Sequence, residues 1–206
     1  MAGDNEMEVT PNLAGHAYRI AHAGDTGAAV VRASNLLDGN YNQQVPVYFI
    51  LNGATAVTVA GTYMRCSRAQ VILAGSSGSN EGVLTIRQAT TTANVFAVMP
   101  SGQNQTAIMA FTVPNNKFVV IRRVRLAITR ANGSAGSAFA GVLSRRPGEV
   151  FRTIRPFELQ TGASVEFTAL GGDVLAPKTD LKFRIFSVSD NNTVVDGTIE
   201  YIQLSA

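Results

Sequence analysis

The 206-residue sequence has no tryptophan, one cysteine and two histidines, and only 15% of its residues are charged. A single cysteine excludes a disulfide within the chain and a zinc site built from several cysteines. No apolar run reaches the ~18 residues of a membrane span. Residues 1–12 are acidic and polar, unlike a secretory signal. We therefore expect neither membrane association nor export.

Lysine is also scarce, since only three of the 17 basic residues are lysines. Arginine is the cation favoured at protein interfaces because its planar guanidinium is weakly hydrated and forms paired hydrogen bonds. Nine basic residues lie between Lys117 and Arg155, opposed only by Glu149. Seven of these arginines are candidate partner contacts: Arg123, Arg125, Arg130, Arg145, Arg146, Arg152 and Arg155.

This basic stretch could meet nucleic acid, an acidic protein surface or only water. Nucleic-acid sites usually add exposed aromatic rings for stacking. Here the phenylalanines fall at the spacing of a strand core, and we assign Phe139, Phe151, Phe157, Phe167, Phe183 and Phe186 to the core. The sequence therefore favours an acidic protein partner over nucleic acid.

From Val45 onward, short apolar and β-branched runs alternate with Gly, Pro and Asn turns, which predicts an all-β fold with minimal helix. The clearest strand is Phe118–Thr129, where Phe118, Val120, Val124, Leu126 and Ile128 share one face. Twelve strands are predicted: 45–51, 56–65, 68–73, 83–88, 94–98, 107–112, 118–129, 137–144, 150–157, 164–169, 181–188 and 194–204.

Many short strands joined by tight turns are typical of an antiparallel β-sandwich of jelly-roll type, and twelve exceed the eight of a simple jelly roll. We predict an arm or lead-in over residues 1–36, in which Val30–Leu37 could form one or two helical turns. A β subdomain is predicted over residues 37–113 and a jelly-roll-like β-sandwich over residues 114–206.

No catalytic, cofactor-binding or metal-binding residue is predicted. His16 and His22 have no ligand constellation around them, and the chain has no nucleophile elbow. The glycine-rich segment 75–82 leads into a strand and not a helix, so it is a loop and not a phosphate cradle. Asp190-Asn191-Asn192 is predicted to be a turn and not a calcium loop. Cys66 is predicted to be buried and unreactive.

Three segments carry a resemblance to a known family: Arg68 to Arg87 (RAQVILAGSSGSNEGVLTIR), Phe111 to Pro114 (FTVP) and Arg145 to Thr153 (RRPGEVFRT). Their order, followed by Pro177 to Lys182 (PKTDLK) and a closing strand, resembles structural proteins of tailed bacteriophages, cyanobacterial phages among them. Asn52 to Val57 (NGATAV) fits the same pattern. The resemblance covers roughly residues 37–204.

The resemblance implies a non-enzymatic virion protein that decorates or cements the outside of the capsid and is assembled in the host cytoplasm. Its partner would then be the major capsid protein, with portal or tail components as the other choice. A closed homo-oligomer is expected, of which a trimer is one form. The alternatives are a tail-associated adaptor or the base of a receptor-binding fibre, and a carbohydrate-binding module or small hydrolase. The absence of tryptophan weakens a sugar-binding function.

Overall fold

The computed structural model describes residues 5–11, 29–51, 56–74, 78–80, 82–89, 95–106, 108–130, 136–168, 174–190 and 193–206. These residues contain no helix, and every pair of strands among them is antiparallel. The all-β fold class predicted from the sequence is therefore confirmed. The chain divides into two compact units, residues 1–108 and 109–206.

Two four-stranded sheets make up unit 1. Its strands are β1 (Asn5–Pro11), β2 (Val30–Leu37), β3 (Gln43–Gln44), β4 (Val47–Ile50), β5 (Val57–Tyr63), β6 (Arg65–Leu73), β7 (Leu84–Gln88) and β8 (Val95–Met99). One sheet has the order β5-β1-β7-β8. In the other, β2 pairs with β3, β4 and β6.

The expected N-terminal arm is corrected by two of these strands. Asn5–Pro11 pairs with β5 on one side and β7 on the other. Val30–Leu37 is a central strand and not a helical turn, and its Val31, Ala33 and Leu36 are completely buried. The β-branched pair Val30-Val31 favours a strand, but the polar residues beside it hid the pattern. Residues 12–28 lie outside the described residues.

Side-chain hydrogen bonds hold polar loops of unit 1 in place. Asp38 begins a turn, in which its Oδ1 accepts hydrogen bonds from the backbone N–H groups of Asn40 and Asn42, both at 2.9 Å. Asn80 and Asn104 bond reciprocally, since each backbone N–H donates to the other residue's side-chain oxygen, at 2.9 and 2.7 Å. Asn80 is fully buried, so its amide is a structural part of the loop.

Two further four-stranded sheets form unit 2. The strands are β9 (Ala110–Thr112), β10 (Lys117–Arg130), β11 (Ser137–Arg145), β12 (Arg152–Gln160), β13 (Ser164–Thr168), β14 (Val174–Leu175), β15 (Asp180–Val188) and β16 (Thr193–Ser205). One sheet has the order β12-β11-β15-β9, and we call it sheet D. In the other, sheet E, β10 pairs with β13, β14 and β16. Buried residues of β10, β11 and β12 share one core between the two sheets.

A bulge in β10 changes which side chains face that core. The register with β16 shifts between Ile121 and Arg123, so Arg122 is an extra residue. Val119 and Ile121 are buried before the bulge, and Val124, Leu126 and Ile128 after it. The prediction for the second group is confirmed. For Phe118 and Val120 it is wrong, because the bulge inverts the alternation and places them on the outer face.

All twelve predicted strands occur, most with ends shifted by one to three residues. The chain divides between Ile108 and Met109, before the boundary expected at Pro114. Short strands β3 and β14 have only two residues each, too few to give a sequence pattern. The jelly-roll connectivity of the C-terminal unit stays a prediction.

Candidate interaction surface

The basic segment of the sequence is divided between the two sheets of unit 2. Arg123 and Arg125 lie on the outer side of sheet E. Arg123 pairs with Glu166 at 3.1 Å and with Glu200 at 3.6 Å, and Arg125 pairs with Glu166 at 3.3 Å. Two carboxylates therefore compensate two guanidinium groups here. The side chain of Arg130 lies outside the described part of the chain.

Arg145 lies on the other sheet and is fixed from two directions. Its Nε donates to Asp180 Oδ2 at 2.7 Å, and the guanidinium carbon lies 4.4 Å from the centre of the Phe151 ring. The Lys182 Nζ is 3.9 Å from the same ring centre. Two cations close to one aromatic ring repel each other, and the ring quadrupole and the Asp180 carboxylate offset this repulsion. Both cations remain on the surface of sheet D.

Phe139 and Phe186 form an aromatic pair on the outer face of sheet D, with ring centres 5.2 Å apart. They are 46% and 38% exposed, so their assignment to the core is wrong. The register between β11 and β15 shifts between Phe139 and Ala140, which leaves Phe186 as an extra residue. The bulge turns Phe186 outward over Gly141, where an added Cβ would lie 2.9 Å from the ring. Arg184 lies 5.8 Å from the Phe186 ring centre.

The remaining predicted contacts are exposed. Arg146 lies in the turn between β11 and β12, and Arg152 and Arg155 lie on β12. Arg146 and Arg152 form no ion pair with any described residue. Register pairs Arg152 with Ser144 and Arg155 with Val142. Because Ser144 and Val142 lie opposite Leu181 and Phe183 on the core side of sheet D, these two exposed arginines are not part of the outer face. The other cations and rings form the basic–aromatic face of sheet D: Phe139, Arg145, Arg146, Phe151, Lys182, Arg184 and Phe186.

A groove of about 390 Å³ adjoins this face. Its lining combines the Phe139 ring, the Glu158 carboxylate and the hydroxyls of Ser137, Ser187 and Ser189. The Ser189 hydroxyl accepts the Ser137 N–H at 2.8 Å, which joins the ends of β11 and β15. The groove offers one aromatic surface, several hydroxyls and one acidic group.

Other sequence candidates lie apart from this surface. Cys66 is buried in the core of unit 1, so the prediction of a buried cysteine is confirmed. Burial raises the pKa of its thiol to about 12, which disfavours the reactive thiolate. The Thr193 N–H donates to the Asp190 carbonyl at 3.3 Å, which agrees with the predicted turn. His16, His22, Asn191 and Asn192 lie outside the described residues, as do Gly75, Ser76, Ser77 and Glu81 of the glycine-rich loop.

The sequence analysis did not name Lys182 and Arg184 as contact residues, and it assigned Phe139, Phe151 and Phe186 to the core. The alternation of Lys182 and Arg184 with Leu181 and Phe183 was visible, but their neighbours on sheet D were not. The bulge at Phe186 has no sequence signal of its own.

Two further findings concern the described residues as a whole. No group of three or more His, Cys, Asp or Glu side chains that could hold a metal ion occurs among them. Nor do they include a helix long and apolar enough to cross a membrane.

The fold and this surface define an all-β protein with a basic–aromatic sheet face. No protein-family model, curated protein or solved structure matches the chain.

Proposed function

We propose that the chain is a non-enzymatic structural protein of a tailed-phage virion that attaches to an acidic protein surface through the basic–aromatic face of sheet D. The outside of the capsid shell, built from the major capsid protein, is the proposed partner. In this proposal the protein is assembled in the host cytoplasm and carried on the particle as a decoration or cement protein.

The difference between the two outer faces of unit 2 supports the proposal. On sheet E, Arg123 and Arg125 are compensated by Glu166 and Glu200. On the outer face of sheet D, Arg145 pairs with the buried carboxylate of Asp180, whereas Lys182 and Arg184 form no ion pair with a described residue. The surplus of cations on one face is a feature that an acidic partner would complement, and such complementarity mainly governs specificity and association rate.

The aromatic rings of this face add contact area beside the charges. Arg145 and Lys182 both form cation–π contacts with the Phe151 ring. The Phe139–Phe186 pair is exposed. Arginine and aromatic residues are the types that contribute most at protein interfaces. A rigid sheet presents them with little loss of backbone entropy on binding.

Nucleic acid fits this face less well than an acidic protein does, even though the face exposes aromatic rings of the kind that stack on bases. Glu149 lies in the same turn as Arg146, and Glu158 lies opposite Phe139, and both are exposed carboxylates. A phosphate chain is negative along its whole length and would be repelled there. A protein surface carries both signs and can place its own cations against these two groups.

Charge reversal on the two faces tests the attachment. Arg184→Glu changes the proposed contact face, and Arg122→Glu makes the same change at an exposed position on sheet E. Binding of purified protein to virions lacking it is measured by co-sedimentation at increasing salt. We expect loss of binding with Arg184→Glu, retention with Arg122→Glu and weakening by salt. Equal binding by both variants would contradict the proposed face, and co-purification with nucleic acid would favour the other partner class.

Copy number separates the capsid proposal from the tail-associated alternative. A shell-decorating protein is present in hundreds of copies per particle. A tail adaptor or fibre base is arranged around the tail axis in roughly six to twelve copies. Quantitative mass spectrometry of purified virions measures this number directly. A few copies per particle would favour the tail, and complete absence from the particle would overturn the virion assignment.

A second candidate function, carbohydrate binding, is favoured by the groove beside Phe139. An exposed ring can stack on the apolar face of a pyranose, and the lining hydroxyls and Glu158 can bond its hydroxyls. A glycan array followed by calorimetry tests it, with Phe139→Ala as the site variant. Binding that disappears in Phe139→Ala would support this function, and an array without any binding would remove it.

A further inference from the structure

The long strand β16 presents one open edge in the described part of the chain. Its residues Thr193 to Ser205 pair with β10 along their full length and with no other described strand. Thirteen extended residues span about 43 Å. The backbone N–H and C=O groups on the outer side of β16 therefore form a row available for pairing with another strand.

The other edge strands of unit 2 carry features that discourage such pairing. Strand β9 has three residues and β13 has five. Strand β12 contains Pro156 together with Arg152 and Arg155. Short length, proline and cations are the usual means of protecting a sheet edge. Strand β16 has none of them, since it is long and contains no proline, lysine or arginine.

An exposed apolar cluster adjoins the second half of β16. Register places Phe118 opposite Leu204, and Val120 opposite both Ile202 and Val174. Ile202, Leu204 and Val174 are 42%, 49% and 55% exposed. Directly paired residues share one face of a sheet, so these five side chains form a continuous apolar cluster on the outer face of sheet E.

We propose that β16 pairs antiparallel with β16 of a second copy of this chain, about a two-fold axis at Ile202. A strand that pairs antiparallel with its own copy generates an isologous, closed dimer and extends sheet E across both subunits. The two apolar clusters then adjoin across the new pair of strands. The closed trimer, which the sequence analysis gave as one form of the expected homo-oligomer, would instead require a heterologous contact.

Charge decides the register. An axis at Thr198 would set Asp196 of each copy directly opposite Glu200 of the other, and like charges in opposed positions destabilise a sheet. An axis at Ile202 sets Glu200 opposite Leu204 and leaves Asp196 outside the paired region. Residues 198–206 of each copy then pair, and they include the exposed apolar part of the strand.

Two lysine substitutions on the same strand test the proposal. Ile202→Lys places a cation at the axis, whereas Val194→Lys makes the same chemical change at an exposed residue outside the paired segment. Sedimentation equilibrium should give a dimer for the parent chain and for Val194→Lys, and at least a tenfold weaker dimer for Ile202→Lys. A parent chain that is monomeric at its highest soluble concentration, or trimeric, would overturn the two-fold pairing, as would equal effects of both substitutions.

Spin labels measure the register independently of stability. Thr198→Cys and, as a control, Glu158→Cys are labelled in a Cys66→Ala background. The axis at Ile202 separates the two Thr198 positions by eight residues of strand, or about 27 Å, while labels on sheet D should be much farther apart. An absent or much longer distance at Thr198 would overturn the register. Because no virion is present, failure here leaves the capsid proposal untouched, and failure of capsid binding leaves the dimer untouched.

Discussion

Arg145 and Asp180 join the neighbouring strands β11 and β15 through a 2.7 Å hydrogen bond from the arginine Nε to the carboxylate Oδ2. The other carboxylate oxygen accepts the hydroxyl hydrogen of Thr112 at 2.5 Å. Asp180 is only 9% exposed, whereas the Arg145 side chain is 37% exposed. One buried acid thus anchors a surface cation and the edge strand β9 together.

Replacing this acid should weaken unit 2 and release the cation. In Asp180→Ala the Thr112 hydroxyl loses its buried acceptor and Arg145 its partner, which we expect to cost about 2 kcal/mol of unfolding free energy. Urea unfolding followed by circular dichroism measures this cost. Asp180→Asn keeps an acceptor for Thr112 and should recover part of the loss. A free energy unchanged in both variants would contradict the structural role.

Gly141 should be required for the position of the Phe186 ring. A Cβ at residue 141 would lie 2.9 Å from that ring and 3.1 Å from the Arg155 carbonyl oxygen. Gly141→Ala is expected to cost about 1–2 kcal/mol and to abolish the nuclear Overhauser effect between the Phe139 and Phe186 rings. Adding Phe186→Leu should recover part of the stability, as a double-mutant cycle would show. Strictly additive effects would contradict the contact.

Asn80 should hold the loops of unit 1 together. Its amide donates to the carbonyls of Gly82 and Pro100 at 2.9 and 2.7 Å, and its oxygen accepts the Asn104 N–H at 2.7 Å. Asn80→Ala leaves these groups without their partner, at a cost of about 3 kcal/mol. Hydrogen exchange should increase at Asn104 and its neighbours. Asn80→Asp keeps the acceptor but turns a carboxylate toward two carbonyls, and it should be less stable at neutral than at acidic pH.

Alkaline pH should destabilise unit 1 through Cys66. Burial raises the pKa of the folded thiol from 9.0 to about 12, although a hydrogen bond with the Arg68 backbone partly opposes this rise. The neutral thiol therefore contributes stability that is complete below pH 9 and is lost as pH rises toward 12. Unfolding free energy measured against pH should fall over this interval.

Cys66→Ala is the control for this alkaline effect. Burial also raises the pKa of Tyr63, and the neighbouring Cys66 raises it further. The variant should therefore show a smaller pH dependence and not a flat one. In the native parent chain a thiol reagent should react far more slowly than with the urea-unfolded chain. Equal rates in both states would show that the thiol is accessible.

Alternation within single strands was sufficient to predict the fold class and the twelve strands from Val45 onward. Leu84 and Ile86, for example, are buried on either side of the half-buried Thr85, as a two-residue period requires. The N-terminal strands were missed because their apolar residues are small or interrupted by polar ones. Val31, Ala33 and Leu36 become a buried face only when β4 and β6 pair on either side of β2.

The sequence by itself determined an antiparallel, all-β chain with many arginines, because strand periodicity and residue type are local properties. Only the tertiary structure decided where those arginines point. The bulge after Ile121 reverses the faces of β10, and the one at Phe186 brings an aromatic ring to the surface. Cross-strand carboxylates neutralise Arg123 and Arg125, while sheet D keeps its surplus of positive charge. Register and pairing join residues distant in sequence, so no local pattern contains them.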